Sequence, residues 1–401
     1  LPPAWLPLII IIVAPVNTGS FIKDYRASQV HSTKQWQRTI ATQIANNFAS
    51  VINLARFGLS SVRFVADHVL GERAIEAISR QLSQRTSSSS RTRSLPQWIR
   101  SLPGGAPSLV CTTSTEASQR PVVVYFPSCS NRAFGPATTN GQAALQALQP
   151  MPLFERVRRI TEKAGYQCVV PEATPSMCCG LAFESHGFPD MARHKANELL
   201  SVLHEHSRKY DQAPIVCDMS QCCQFLYKHQ KEQAPLPTSP TKQRQAALHV
   251  IEPVQLVQQH LAPHLEFHQL PTTVALHVSC SSTRLGLAGA TNQLASKCAK
   301  NVVSSEVPCC GMAGDRGLLY PELPDSSLKL LPDRLRNNRY NEPCTIGISS
   351  SRTCEMALSQ YSGVTFTSIM DLVDAATTPR AASASSPPSA TPASSSTAAS
   401  S

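Results

Sequence analysis

The feature that most constrains the fold of this chain is an internal repeat. Four segments of its first half recur in its second half in the same order, with cysteines at corresponding positions. The matched pairs are VVVYFPSCS (122–130) with VALHVSCSS (274–282), CCGLAFESHGF (178–188) with CCGMAGDRGL (309–318), PIVCDMSQC (214–222) with CTIGISSSRTC (344–354), and HVIEPVQLV (249–257) with TFTSIMDLV (365–373). Ordered self-similarity of this kind predicts two copies of one structural unit, which we expect to face each other across a pseudo-twofold axis.

Local patterns indicate the fold class of these two copies. Short β-rich runs at 121–126, 166–170 and 213–218 alternate with helical patterns at 152–164 and 190–209. Strands that alternate with helices are typical of mostly parallel sheets. We therefore predict an α/β fold with two pseudo-twofold-related cysteine-rich modules, preceded by a helical N-terminal segment.

The segments around the two modules have simpler patterns. Residues 17–84 are predicted to be helical, because Ile40, Ile44 and Phe48 recur every four residues. The Pro/Gln/Lys-rich stretch 231–247 is predicted to be a loop insertion, and the Ala/Ser/Thr/Pro tail cannot bury enough apolar surface to order itself. The predicted division is 1–84 helical segment, 85–120 linker, 121–265 first module, 266–376 second module and 377–401 disordered tail.

Charge is concentrated at the N-terminal end. The net charge is +10, and residues 1–106 hold 12 Lys/Arg against 4 Asp/Glu, a difference of +8. No zinc-finger or RNA-binding motif accompanies these residues, so we expect no nucleic-acid partner. A solvated helical face and docking to an acidic partner or a membrane surface both stay open. The apolar run Leu6–Val16 is shorter than the roughly 20 residues of a membrane span and contains two prolines, so we expect a buried segment.

Cysteines are the residues with most chemistry in this sequence. The chain has 14, and three adjacent pairs recur within the modules. Adjacent cysteines suit metal clusters better than disulfide frameworks, which indicates a reducing compartment. The first copy offers Cys129, Cys178, Cys179, Cys217, Cys222 and Cys223, and the second offers Cys280, Cys309, Cys310 and Cys354. Four thiolates suffice for an iron–sulfur cluster or for structural zinc, although no Cys-x-x-Cys knuckle is present; redox-active free thiols are the third alternative.

Other candidate residues carry weaker predictions. Ser349 stands where the first copy has Cys217, so the second site has fewer thiols and is either a simpler cluster site or a degenerate copy. The outlying cysteines are expected to be incidental small residues: Cys111, Cys168, Cys298 and Cys344. Some polar residues have both a functional and a structural interpretation, as cluster-tuning or anion-binding groups or as ordinary structural side chains: His186, His277, Asp315, Arg316 and Arg352.

These motifs resemble the cysteine-rich domain that heterodisulfide reductases share with the iron–sulfur protein of glycolate oxidase. The closer resemblance, over about residues 14–376, is to the C-terminal region of bacterial FAD-linked D-lactate dehydrogenases. It is carried by VVYFPSCSNRAFGP (123–136), CCGLAFESHGF, PIVCDMSQC, TVALHVSCSSTRLGL (273–287), CCGMAGDRG and SSRTCEMAL (350–358). The resemblance implies that Cys129, Cys178, Cys179, Cys217 and Cys222 match one cluster motif, of 4Fe–4S type, and that Cys280, Cys309, Cys310 and Cys354 match a second.

In that family an FAD domain oxidises the 2-hydroxy acid, and iron–sulfur centres pass the electrons to a quinone or cytochrome. The resemblance therefore implies a flavin partner, a respiratory acceptor and peripheral membrane association, in a bacterial or mitochondrial setting. The family's Cys-Pro-Val step reads Ala14-Pro15-Val16 here, and no flavin domain is recognised. We thus expect a truncated ferredoxin-like remnant and no lactate oxidation by this chain alone. The competing prediction is a zinc-binding or metal-free scaffold, and thiol–disulfide exchange is a third, in which Cys178 or Cys309 would alkylate readily.

Overall fold

The computed structural model describes residues 35–87, 95–112, 120–137, 148, 150–233 and 249–380. The predictions for the run Leu6–Val16, for the ferredoxin-like step and for the tail beyond Arg380 lie outside these residues. Most of the predicted loop insertion at 231–247 also lies outside them. Its first three residues are described, and they belong to the helix that ends at Gln233.

Two four-stranded sheets form the body of the molecule, and every strand pair within them is parallel. The first contains β1 (Val122–Phe126), β2 (Gln167–Val169), β3 (Ile215–Cys217) and β4 (Val250–Ile251). The second contains β6 (Leu270–Leu276), β7 (Ala299–Ser304), β8 (Ile346–Ser349) and β9 (Phe366–Ser368). The strand orders, β2-β1-β3-β4 and β7-β6-β8-β9, are the same topology, so the predicted α/β class and the repeat of the architecture are confirmed.

Helices connect the strands and precede the first sheet. The N-terminal helices are α1 (Gln35–Asn46), α2 (Phe48–His68) and α3 (Glu72–Ser87). Those of the first module are α4 (Cys129–Ala133), α5 (Leu153–Lys163), α6 (Leu181–Ser185), α7 (Pro189–Lys209), α8 (Ser220–Gln233) and α9 (Pro253–Leu256). Those of the second are α10 (Cys280–Arg284), α11 (Ala288–Cys298), α12 (Arg316–Leu319), α13 (Glu322–Leu328), α14 (Leu331–Arg336), α15 (Arg352–Ser362) and α16 (Ile369–Ala375).

Helix α5 shows how local sequence sets these elements. Its apolar residues Leu153, Val157 and Ile160 recur on one face and are buried. The helix stops before Gly165, whose φ of +83° is the left-handed conformation that glycine adopts without strain. The predicted helix at 152–164 is therefore confirmed within a residue at either end.

The two sheets share one core. Val123 and Tyr125 of β1 point into the same apolar cluster as Val274 and Leu276 of β6, while the alternate residues of each strand point to an outer core. Helix α5 of the first module packs on α16 of the second, and α11 of the second packs on α9 of the first. This exchange of equivalent helices is the reciprocal contact that the predicted pseudo-twofold axis requires.

The N-terminal helices cover one side of the modules. Phe48 of α2 is buried against the first module's outer core, whereas Ile40 and Ile44 of α1 stay largely exposed. Residues of the predicted linker are packed rather than loose, because Trp98 and Leu102 are buried beside Met356 of α15. Among the described residues, no helix is both long enough and apolar enough to cross a membrane.

The C-terminal boundary differs from the prediction. Residues 377–379 are predicted to begin the disordered tail, but they form β10 (Thr377–Pro379), which pairs antiparallel with β5 (Leu265–Phe267). The Lys163 ammonium group also donates to the Thr377 carbonyl oxygen at 2.9 Å. Main-chain pairing supplies the order that the polar composition of this segment did not indicate.

Candidate functional site

Six cysteines of the first module lie at the carboxyl ends of its strands, the edge of an open α/β sheet where sites form. Cys129 begins α4 directly after β1, and Cys217 ends β3. Cys178 and Cys179 lie in the loop before α6, and Cys222 and Cys223 lie in the first turn of α8. We call this set the first thiol group: Cys129, Cys178, Cys179, Cys217, Cys222 and Cys223.

Contacts between side chains connect the whole first thiol group. The Sγ atoms of Cys179 and Cys222 lie 3.2 Å apart. Cys178 is hydrogen-bonded to Cys129 and to Cys179. Cys217 is hydrogen-bonded to Cys222 and to Cys223. The structure thus brings together all five thiols predicted for this site, along with Cys223.

The second module repeats this arrangement with four cysteines, the second thiol group: Cys280, Cys309, Cys310 and Cys354. The Sγ atoms of Cys310 and Cys354 lie 2.8 Å apart, the counterpart of the Cys179–Cys222 contact. Cys280 is hydrogen-bonded to Cys309. Cys309 is exposed to solvent, whereas every thiol of the first group except half-buried Cys129 is buried.

A glycine behind each cysteine pair makes both arrangements sterically feasible. Gly180 has a φ of +95° and Gly311 a φ of +77°. A Cβ at Gly180 would lie 2.3 Å from the Ala192 carbonyl oxygen, and one at Gly311 would lie 2.5 Å from the Pro324 Cα. Each glycine N–H lies 3.4 Å from the Sγ of the first cysteine in its pair. Only glycine combines a positive φ with the absence of a Cβ that would collide with the neighbouring backbone, which explains why Cys-Cys-Gly occurs in both modules.

Hydrogen bonding divides the thiols into donors and acceptors. Hydrogen bonds from Cys178 and Cys222 lower the pKa of Cys179 to about 6, and the hydrogen bond from Cys280 lowers the pKa of Cys309 to about 6. Burial raises the pKa of Cys217, but hydrogen bonds from Cys222 and Cys223 outweigh it and bring that pKa to about 6. Each group therefore stabilises thiolate, the form that ligates metals.

The thiols of each group suit an iron–sulfur cluster or a zinc ion in kind and in number, since either needs about four thiolate ligands. Their spacing is that of hydrogen-bonded pairs. Two sulfurs on one tetrahedral zinc lie about 3.8 Å apart, given bonds of about 2.3 Å, which exceeds both Sγ–Sγ distances above. In the part of the chain that the structure describes, no three Cys, His, Asp or Glu side chains surround a common metal position.

A buried polar network lies between the modules, near both thiol groups, and sequence patterns gave no sign of it. The Ser282 hydroxyl lies 3.0 and 3.1 Å from the two carboxylate oxygens of Glu252 and 3.0 Å from the Ser220 hydroxyl. Ser350 lies 2.8 Å from Ser220 and 2.9 Å from Ser282. Burial raises the pKa of Glu252 to about 7. Serines separated by up to 130 residues converge here, so only the fold could reveal the network.

Two further buried charges position the first thiol group. The Asp218 carboxylate accepts from the Tyr125 hydroxyl at 2.6 Å and from the Ser128 N–H at 2.8 Å, which holds the turn leading to Cys129. Arg132 donates to three carbonyl oxygens of the loop before Cys178, at 2.6 to 2.9 Å. The one sequence signal for Arg132 was its place in the SCSNR segment after β1.

The polar residues that the sequence offered as cluster-tuning or anion-binding candidates differ in their burial and contacts. His186 and Asp315, which follow the two Cys-Cys-Gly turns, are exposed and lie 3.5 Å apart across the modules. Asp315 precedes the short helix α12, which begins at Arg316. Arg352 is buried: it is 4% exposed and pairs with Glu355 at 2.8 Å. His277 is also buried, which lowers its pKa to about 4.

The outlying cysteines take no part in either thiol group. Cys168 of β2 and Cys298 of α11 are buried in the central core, where burial raises the pKa of each thiol to about 12. Cys111 and Cys344 are half-buried, and their sulfurs lie 3.9 Å from the carbonyl oxygens of Glu172 and Leu335. All four pack as small side chains.

No model of a known protein family and no curated protein matches this chain. The resemblance drawn from the cysteine motifs therefore stays a prediction.

Proposed function

We propose that the two thiol groups bind iron–sulfur clusters and that this chain is the electron-transfer part of an FAD-linked D-lactate or related 2-hydroxy-acid dehydrogenase. Electrons would enter from a flavin domain or subunit and leave to a quinone or cytochrome. The ligands would be Cys129, Cys178, Cys179, Cys217 and Cys222 in the first module, and Cys280, Cys309, Cys310 and Cys354 in the second.

The observation that supports this proposal is the equivalence of the two groups. The Cys179–Cys222 and Cys310–Cys354 contacts join the same two elements in each module, the Cys-Cys-Gly turn and the helix after the third strand. Each module places a thiol of lowered pKa beside other thiols: Cys179 in the first and Cys309 in the second. Cys179 is buried, and a buried thiolate is costly without a partner. A bound cluster would supply one-electron chemistry and neutralise these thiolates.

The protein residues would hold and insulate such a group. Asp218 and Arg132 fix the loops that carry Cys129 and Cys178. The apolar outer cores contain the first thiol group and, of the second, Cys310 and Cys354. They keep water away from these thiols, which favours electron transfer over reaction with solvent. Cys309 is the exposed thiol at the surface of the second group.

Anaerobic reconstitution tests the cluster proposal. The chain is purified without oxygen and incubated with ferrous iron and sulfide, and bound iron, visible absorption and EPR are then measured. We expect about four or more irons per chain, reduced in Cys178→Ser and Cys309→Ser and unchanged in the controls Cys111→Ser and Cys344→Ser. A folded chain that binds only zinc or no metal would overturn the proposal.

The link to a 2-hydroxy-acid dehydrogenase needs its own measurement. The reconstituted chain is mixed anaerobically with the flavin domain of an FAD-linked D-lactate dehydrogenase, and D-lactate is added. Bleaching of the cluster absorption that requires both the domain and D-lactate is expected. Bleaching by dithionite but not by this mixture would leave electron transfer standing and remove the dehydrogenase assignment.

A second candidate function is a non-catalytic scaffold that is metal-free or binds zinc. The pairing of the thiols favours it, because within the described residues their geometry is that of hydrogen bonds and not of a shared metal. Its metal-free form predicts that the chain keeps its cooperative unfolding and its melting temperature in the presence of a strong chelator. Its zinc-binding form predicts a lower melting temperature with chelator and zinc, not iron, in metal analysis. A cluster protein would lose stability when its iron is removed.

A further inference from the structure

Two buried polar atoms beside the second thiol group have no hydrogen-bond partner: His277 Nε2 and Ser349 Oγ. His277 is 1% exposed and Ser349 is fully buried. A buried polar atom without a partner destabilises the folded state, so its persistence calls for an explanation.

Strand register places the two atoms side by side. Leu276 of β6 is paired with Ile348 of β8, and the His277 N–H continues that ladder to the Ile348 carbonyl oxygen at 2.9 Å. Leu276 and Ile348 point into the central core. Because side chains alternate along a strand, His277 and Ser349 point to the opposite face, where Cys310 and Cys354 are packed.

A hydrogen-bond chain reaches Nδ1 of His277 and is compatible with a proton on Nε2. The Val307 N–H donates to Ser305 Oγ at 3.5 Å, and Ser305 Oγ lies 3.1 Å from His277 Nδ1. The Ser305 hydroxyl has one proton, which it can donate to Nδ1 while its oxygen accepts from Val307. A neutral imidazole that accepts at Nδ1 carries its proton at Nε2. In that tautomer His277 presents an N–H donor to the face of the second thiol group.

The first module has different chemistry at the same two positions. Phe126 and Cys217 are register partners there, as His277 and Ser349 are in the second module. Cys217 belongs to the first thiol group, and Phe126 is packed in the same cluster. The first site thus has a thiol and a phenyl ring where the second has a hydroxyl and an imidazole. One site gains a thiolate, and the other gains two hydrogen-bond donors.

We propose that His277 and Ser349 donate hydrogen bonds to sulfur atoms of the group bound by the second thiol group, so that this site holds an electron more tightly than the first. This inference rests on the proposed function. Hydrogen bonds to cluster sulfurs favour the reduced, more negative state and raise the reduction potential, while an additional thiolate opposes reduction. Electrons would then pass from the first site to the second, oxidising one and reducing the other.

Redox titration followed by EPR tests this inference on the reconstituted chain. The variants are His277→Phe, which copies the first module's residue, His277→Gln, whose amide keeps a donor near Nε2, and His194→Phe as an exposed control. We expect two potentials in the wild type. The higher one falls in His277→Phe, is partly restored in His277→Gln and is unchanged in His194→Phe.

Outcomes that contradict the inference about His277 and Ser349 can be told apart from outcomes that contradict the proposed function. A fully loaded His277→Phe chain with both potentials unchanged overturns this inference and leaves electron transfer standing. A wild-type chain that binds no iron overturns both. If His277→Phe does not fold, ¹⁵N NMR of the wild-type histidines decides: a proton on Nε2 of His277 is required, and a proton on Nδ1 overturns the inference.

Discussion

The guanidinium of Arg352 in the second module lies 3.0 Å from the side-chain oxygen of Asn131 in the first. Asn131 follows Cys129 by two residues, and Arg352 precedes Cys354 by two. The pseudo-symmetric counterpart joins Ser282, two residues after Cys280, to Ser220, two before Cys222, also at 3.0 Å. Reciprocal polar contacts across the pseudo-twofold axis thus connect the segments that carry the two thiol groups.

Replacing Arg352 should strongly destabilise the protein. Arg352→Met would leave Glu355, which is 2% exposed, without its buried cation. We expect a loss of about 3–5 kcal/mol in the free energy of unfolding by urea. The control Arg336→Met removes a guanidinium that is 74% exposed in its pair with Asp333 and should cost less than about 1 kcal/mol. Equal losses in the two variants would mean that the buried pair has no special role.

The glycines of the two Cys-Cys-Gly turns should not tolerate a side chain. Gly180→Ala and Gly311→Ala combine a positive φ with a collision against backbone. Gly314→Ala separates the two effects, because Gly314 has a φ of +81° and open space around it, so it should cost only about 1–2 kcal/mol. Urea unfolding should rank both turn variants as clearly less stable than Gly314→Ala. A similar cost for all three would remove the steric argument.

Stability should depend on pH through Glu252. Burial raises the pKa of this carboxyl from 4.5 to about 7, so the folded state binds its proton more tightly than the unfolded state. The contribution of Glu252 to the free energy of unfolding is then most favourable below pH 4.5. It becomes less favourable as the pH rises from 4.5 to about 7 and is constant above pH 7.

Glu252→Gln should remove this part of the pH dependence and raise stability at pH 8 by on the order of 2–3 kcal/mol. Burial also raises the pKa of Glu355 to about 7, so the informative quantity is the difference between wild type and variant in urea titrations from pH 4 to 8. The exposed control Glu266→Gln should leave the slope unchanged. A Glu252→Gln slope equal to that of wild type would contradict the prediction.

Cys309 should be the first thiol of the metal-free chain to alkylate. It is exposed, and hydrogen bonding lowers its pKa to about 6, so it is largely thiolate at pH 7. Cys178, the other thiol expected from sequence to react readily, is buried with its pKa raised to about 12 and should be slow. Brief iodoacetamide treatment followed by peptide mass spectrometry measures the order. Labelling of Cys178 before Cys309 would contradict it.

Much of the fold was predictable because it is encoded locally. The alternation of β-rich and helical runs indicated parallel α/β modules, and the four ordered matches indicated that there are two. Apolar spacing placed α5 and α7 within a residue or two. The strand Thr377–Pro379 was missed because its order comes from pairing with Leu265–Phe267, more than a hundred residues earlier.

By itself, the sequence determined which thiols each module can offer, since cysteine spacing and the glycine after each pair are local properties. Only the tertiary structure decided which thiols are exposed, which partners lower their pKa values, and where buried charges lie. Glu252, Asp218 and Arg352 gave no periodic signal, because their partners lie on other elements of the fold or across the pseudo-twofold axis. Burial and long-range hydrogen bonding depend on how distant segments meet, and no local pattern records that.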